Sequence, residues 1–173
     1  DNTLHGQLSR SSVRFRKKHF LMIFIAGVVS LALLLFLFLH AYIAWVLMYP
    51  DVAPIASNPK SAIGLDYIDV RFPSNDQSVE LEGWYIPAAD TTRTVIFSHG
   101  YGANREETWV PMYDLAAWLH EQNYNVLMFD YAFASATDRR PVTGGKEEAQ
   151  QLIGAIHWAK NNGAGPIYVW GFS

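Results

Sequence analysis

From Phe20 to Tyr49 the chain carries no permanent charge: FLMIFIAGVVSLALLLFLFLHAYIAWVLMY. A bilayer core of about 30 Å takes about 20 apolar residues as helix. The run therefore predicts one transmembrane helix, with length to spare for tilt or an interfacial turn. Tyr42, Trp45 and Tyr49 stand at its distal end, where an aromatic belt is expected. His40, the one ionisable residue within it, reads as a neutral imidazole near the interface.

Beyond the run the pattern changes. Ala53 to Gly64 (APIASNPKSAIG) is rich in Pro, Ser, Asn and Gly and reads as a short linker. Tyr67 to Phe72 and Val79 to Ile86 read as strands around the turn residues Pro73, Ser74, Asn75 and Asp76. Val79, Leu81, Gly83 and Tyr85 alternate with Glu80, Glu82 and Trp84, which predicts an antiparallel hairpin at a sheet edge. Three short, nearly continuous apolar runs follow: Thr94 to Ser98 (TVIFS), Asn125 to Phe129 (NVLMF) and Ile167 to Trp170 (IYVW). Strands apolar on both faces fit a parallel sheet covered by helices.

Helices are predicted between them. Met112, Leu115, Ala116 and Leu119 recur at i, i+3, i+4, i+7 after Pro111, which suits a first helical turn. Ala149, Leu152, Ile153 and Ile156 share one face of a second helix, with Thr143 as its N-cap and Glu147 and Glu148 complementing the positive helix start. The order is hairpin, then strand–helix–strand–helix–strand: an α/β fold with right-handed crossovers, preceded by one transmembrane helix. The expected divisions are a basic tail over 1–19, a transmembrane segment over 20–49, a linker over 50–66 and a partial α/β domain over 67–173.

Charge adds an orientation. The net charge of the 173 residues is -3, mild and mixed, so nothing points to nucleic acid. Arg10, Arg14, Arg16, Lys17 and Lys18 stand just before the apolar run, whereas Asp51 comes first after it and Lys60 is the only nearby cation. The positive-inside rule makes the N-terminus cytoplasmic and everything after Pro50 extracytoplasmic, in a single-pass protein of the cell membrane. A cleaved signal peptide would have an apolar region of about 7 to 15 residues. This run is far longer, so an uncleaved signal anchor is expected. The absence of cysteine excludes a disulfide framework, a thiolate metal site and a cysteine nucleophile.

The candidate chemistry sits at strand ends. The last strand runs into Gly171-Phe172-Ser173, the first three residues of G-x-S-x-G, the sharp strand-to-helix turn that lifts a nucleophilic serine above a sheet. Glycine is expected there because a side chain would collide with neighbouring backbone. Alone, G-x-S is an ordinary turn. The strand ending at Ser98, however, leads into His99-Gly100-Tyr101-Gly102 at the same edge of the sheet. A glycine-rich loop lets backbone N–H groups approach an oxyanion, where each is worth roughly 3 to 4 kcal/mol.

A strand followed by H-G-x-G, two strand–helix units and a strand ending in G-x-S resembles the α/β-hydrolase superfamily over about Tyr67 to Ser173. Carboxylesterases and serine-aminopeptidase-like hydrolases with a single N-terminal anchor are the most similar. The resemblance implies Ser173 as nucleophile, the Tyr101 N–H as one oxyanion donor and the residue after Ser173 as the other. His99, Gly100 and Gly102 would order the loop, and Gly171 and Phe172 would form the elbow. It also implies that the catalytic acid and His follow Ser173, that the cap lies beyond it, and that the substrate is a small-molecule ester or peptide. A serine at the elbow argues against the aspartate-based dehalogenase branch. Asp130-Tyr131 matches the family's D-Y, but Arg-Gly-x-Gly is replaced by Ala132-Phe133-Ala134-Ser135, so either an altered, more apolar pocket or a purely structural change is expected there.

The same residues admit other readings. His99, Asp130 and Ser173 follow the order of chymotrypsin-like triads, but that fold is an antiparallel barrel. Asp130 reads instead as a structural carboxylate bonded to loop amides. Gly144-Gly145-Lys146 lacks the spacing of a phosphate loop. No cofactor or metal is expected from the scattered histidines. Trp84, Trp109, Trp118 and Trp158 read as core and helix-packing aromatics. A membrane-anchored, non-catalytic binding protein on the same scaffold is the alternative of a different class. Asp1 is not Met and Ser173 falls inside a motif, so both ends read as artificial and the chain as the N-terminal part of a longer product. Alone it is expected to be inactive and poorly soluble, because its last strand presents an unpaired apolar edge.

Overall fold

The structure is a computed structural model that describes the backbone of residues 2–173 and the side chains of residues 16–173. Arg10 and Arg14 of the basic tail lie outside those side chains. The chain divides into two units, residues up to Val46 and Leu47–Ser173. In the first, helix α1 (Asn2–Met48) carries the uncharged run, and Arg16–Met48 is long and apolar enough to cross a membrane. Its one internal imidazole is satisfied locally, since His40 Nδ1 lies 2.8 Å from the Phe36 carbonyl four residues earlier.

In the second unit a five-stranded mixed sheet is built from β1 (Ile68–Pro73), β2 (Glu80–Ile86), β3 (Thr94–Ser98), β4 (Asn125–Phe129) and β5 (Ile167–Gly171). The spatial order is β1-β2-β4-β3-β5. β1 and β2 form the antiparallel hairpin, and β2 runs antiparallel to β4. β3 pairs in parallel with β4 on one side and β5 on the other. Alternation along each strand sorts the core into two layers. Val95, Phe97, Val126 and Met128 pack under helix α3 (Met112–Glu121), whereas Ile96, Leu127 and Phe129 face helix α4 (Lys146–Asn161). Most of these side chains are almost fully buried, each worth about 1.5–3 kcal/mol relative to exposure.

Three details differ from the sequence reading. The N-cap of α4 is Gly145, two residues after Thr143. The Thr143 hydroxyl still accepts the Glu147 N–H at 2.8 Å, and Glu148 reaches back to the N–H groups of Thr143 and Gly145. The buried face of α4 is also shifted: Leu152 and Ile156 pack against the core as expected, but the fully buried positions are Gln151, Gly154, Ala155 and Ala159, and Ala149 is exposed. Small residues win that face because α4 crosses the end of the hairpin closely. A Cβ on Gly154 would collide with the Pro73 carbonyl and lie 2.9 Å from Ser74 Cα. Finally, Trp84 is buried and Trp158 packs against Phe72 and Tyr85, but Trp109 is 91% exposed and Trp118 52%. Neither of the last two is a core residue.

The stretch read as a linker is bound to the domain along its length. Asn58 caps a short helix α2 (Pro59–Ile63) in a reciprocal box with Ser61, and Pro59 is buried. The Ala56 N–H and the Ser57 hydroxyl both donate to Glu106, and the Asn104 amide donates to the Ala53 carbonyl at 2.8 Å.

Gly154 supplies a test of the packing. On an exposed helix, Gly→Ala gains up to about 1 kcal/mol of propensity. Here the added methyl meets rigid backbone, and overpacking costs about 1–3 kcal/mol. Gly154→Ala should therefore lower the urea midpoint of the detergent-solubilised protein; a raised midpoint would show that α4 can retreat from the hairpin.

Candidate active site

The parallel strands β3 and β5 end side by side, and this register brings the two motifs together. Ser98 pairs with Gly171, and the Phe172 N–H donates to the Ser98 carbonyl at 2.9 Å. Phe172 anchors the second motif by packing edge-on against Phe97 and stacking on Trp170. The glycine of the first motif is then needed for close approach. A Cβ on Gly100 would lie 3.4 Å from the Phe172 carbonyl and 3.6 Å from Ser173 Cα. Gly102 has φ +73°, which favours glycine and turns the loop back. Gly171 behaves otherwise than expected. A Cβ there would meet nothing within 4 Å, so no described residue makes the anticipated collision.

The loop is held by buried polar groups. His99, 4% exposed, accepts the Tyr131 N–H at Nε2 (3.0 Å), which leaves Nδ1 to donate to the Gly100 carbonyl, also at 3.0 Å. Burial holds its pKa below the ordinary histidine value, with Arg105 adding to the effect and Asp130 and Glu107 opposing it. The ring is thus a neutral brace between the ends of β3 and β4. Glu107 accepts the Gly100 N–H at 3.2 Å. The Tyr101 N–H has no protein acceptor among the described residues, while its side chain is exposed and its hydroxyl donates to the Leu47 carbonyl at 2.9 Å.

Asp130 accepts the Arg105 N–H at 2.7 Å and forms an ion pair with its guanidinium at 3.0 Å. Arg105 also lies 3.9 Å from Glu82 and stacks 4.8 Å over the Trp84 ring. His99, Asp130 and Ser173 therefore make no relay: the imidazole is held by backbone and the carboxylate by Arg105. Sequence reasoning missed Arg105 and Glu107. Their signal was a cluster of charges immediately after a strand-end glycine loop, in a segment too short to leave the sheet edge. It also missed the Ser98 and Tyr131 hydroxyls, 2.6 Å apart, with burial raising the pKa of the phenol.

The altered D-Y loop is structural where it departs first. Ala132 and Phe133 are buried, and the Ala132 N–H donates to the buried Gln151 at 2.8 Å. Phe133 packs edge-on against His99 and, on its other side, lines a hollow of about 530 Å³ with Ile55, Asn104, Arg105, Ala134 and Arg139. Among the described residues no three His, Asp or Glu side chains come together as a metal site.

No family model matches the chain. It is 31% identical to the uncharacterized protein YfhR of Escherichia coli (strain K12) over 114 residues, 62% of this chain and 37% of that protein. It is 28% identical over 96 residues to the polyketide transferase grgF of Penicillium sp, covering 54% of this chain and 31% of the relative. Among solved structures, the esterase Pf2001 of Pyrococcus furiosus superposes with a TM-score of 0.65 at 30% identity, over 73% of this chain and 47% of the esterase. The chain thus matches less than half the length of each of these relatives. The mixed sheet, its strand order and these likenesses together show that the chain has the α/β-hydrolase fold.

Proposed function

We propose that the protein is a membrane-anchored serine hydrolase that cleaves an ester or amide through an acyl-enzyme on Ser173. The observation that carries the reading is the approach of Gly100 to Ser173, beside a Tyr101 N–H that has no protein acceptor among the described residues. A donor with no protein acceptor, in a loop that closely approaches a serine at the end of a parallel strand, suits a developing oxyanion. The Ser173 hydroxyl attacks the substrate carbonyl while a base takes its proton, and the tetrahedral oxyanion accepts the Tyr101 N–H. Collapse expels the alcohol or amine with that proton, and water then releases the acid and restores Ser173. His99 cannot be the base, since both its ring nitrogens are engaged by backbone. The base and the acid that orients it belong to residues beyond these 173, as the superfamily's order of nucleophile, acid and histidine implies.

The anchor is read from the same chain. An uncharged helix after a basic tail inserts as a signal anchor with its N-terminus cytoplasmic. The hydrolase domain then lies outside the cell membrane.

Two outcomes follow. In the full-length protein, a fluorophosphonate probe should label Ser173, and Ser173→Ala should abolish both labelling and ester hydrolysis. An unlabelled but folded full-length protein would replace catalysis by the binding reading. The second concerns His99. A buried imidazole with a lowered pKa excludes a proton that the unfolded chain takes up below about pH 6.5. Its contribution to stability is full above that pH and is lost as pH falls below it. His99→Gln should flatten the fall of the urea midpoint between about pH 6.5 and pH 5; equal slopes in the two proteins would mean that His99 titrates normally.

A further inference from the structure

We infer that the carboxyl edge of the sheet, with the candidate site on it, lies in the head-group layer of the bilayer, and that the substrates are esters of membrane-borne amphiphiles. This rests on the serine-hydrolase and single-anchor readings above and names the substrate class they leave open.

The first observation is where the globular unit holds its own first residues. The Tyr101 hydroxyl donates to the Leu47 carbonyl at 2.9 Å, the Val142 N–H to the Met48 carbonyl at 2.8 Å, and Arg139 to the Pro50 carbonyl. Tyr101 belongs to the β3–α3 connection and Arg139 and Val142 to the β4–α4 connection. Both leave the carboxyl ends of parallel strands, the edge where the two motifs meet. Leu47 and Met48 are among the last residues of the uncharged run that ends at Tyr49. A chain that crosses a bilayer through that run emerges there, at the depth of Trp45 and Tyr49. No free spacer separates that point from Tyr101, so the site edge cannot stand off from the membrane on a leash.

The second observation is independent of those bonds. Trp109 lies in the same β3–α3 connection and is 91% exposed, with Tyr101 at 58% and Ile55 at 38%. An indole with an apolar body and one N–H is poorly placed in bulk water and well placed at a lipid–water interface. The half-exposed Trp118 is not part of this surface: it lines a separate hollow with Gln122, Tyr124 and Tyr168. A site with its mouth at the head-group level receives molecules whose apolar parts stay in the bilayer while a carbonyl near the head group reaches Ser173. The bond broken is that carbonyl's ester bond, with water as co-reactant, giving a carboxylic acid and an alcohol.

The absence of cysteine from these residues makes the position measurable. In the full-length protein, freed of any other cysteine and reconstituted in phosphatidylcholine vesicles, Thr108→Cys and Lys160→Cys are each labelled with an environment-sensitive fluorophore. Thr108 adjoins Trp109, and Lys160 lies at the far end of α4, on the amino edge of the sheet. Lipids spin-labelled near the head group should quench the label at 108 strongly and that at 160 hardly at all. Equal quenching in protein that floats with the vesicles would overturn the inference and leave the anchor standing; protein that fails to float would remove both. For the substrate class, Trp109→Ser should lower the rate on a long-chain ester dissolved in the vesicles several-fold more than the rate on a short soluble ester. An unchanged ratio of the two rates would overturn that part. Fluorophosphonate labelling of Ser173 reports separately on the chemistry, so loss of the serine reading is not confused with either result.

Discussion

Arg105 and Asp130 are 7% and 5% exposed, and neither charge can be left alone at that depth. Removing one partner of such a pair costs about 3–5 kcal/mol, because the other remains buried without compensation. The geometry here meets the demand twice over: Asp130 takes the Arg105 backbone N–H as well as its guanidinium, and the guanidinium lies on the Trp84 ring. The consequence reaches beyond the pair. Asp130 directly follows β4 and Arg105 begins the return from the glycine loop after β3, so their pairing fixes that loop to the end of the neighbouring strand. Two residues on, Glu107 is carried to the Gly100 N–H, and His99 closes the same span from the other side through Tyr131 and Gly100.

A loop held at so many points explains how one donor can be left free. Gly100 spends its N–H on Glu107 and its carbonyl on His99 and Ala103. Tyr101 follows this engaged residue, and its own N–H has no protein acceptor among the described residues. Water can serve that N–H, since Tyr101 is 58% exposed, while the bonds on either side hold the loop rigid. In the proposed chemistry, that rigidity is what makes the donor effective without reorganisation.

Much of this was legible in the sequence because the relevant periods are unambiguous. Val126 to Phe129 is apolar at every position, which fits a strand covered on both faces, and Met112, Ala116 and Leu119 mark a helical stripe. The parallel pairing of the apolar strands then followed from the helices between them and the handedness of crossovers, whereas their spatial order appeared only in the fold. What was not legible depended on depth rather than period. Arg105 and Glu107 look like surface charges in a loop, and only the tertiary fold shows that the loop lies flat on the sheet edge. The face of α4 was misjudged because hydrophobicity favoured Ala149 and Ile153, whereas the closeness of Pro73 and Ser74 selected Gly154 and Ala155. Trp109 was assigned to the core on residue type alone, and its exposure is visible only in three dimensions.

The segment from Val52 to Gly64 shows the same limit in another form. Its composition is that of a flexible spacer, rich in Pro, Ser and Asn, and composition is all a one-dimensional reading can weigh there. In the fold its polar groups are spent on the domain: Ala56 and Ser57 on Glu106, Ala53 on Asn104, Asn58 on its own helix cap. Glu106 sits between the paired Arg105 and the clamping Glu107, so the segment is fastened to the same few residues that hold the glycine loop. A free spacer would let the globular unit sample every distance from residue 47; a docked one fixes a single path from Leu47 to the sheet edge. The residues that hold the glycine loop are therefore also those that hold the segment leading to it.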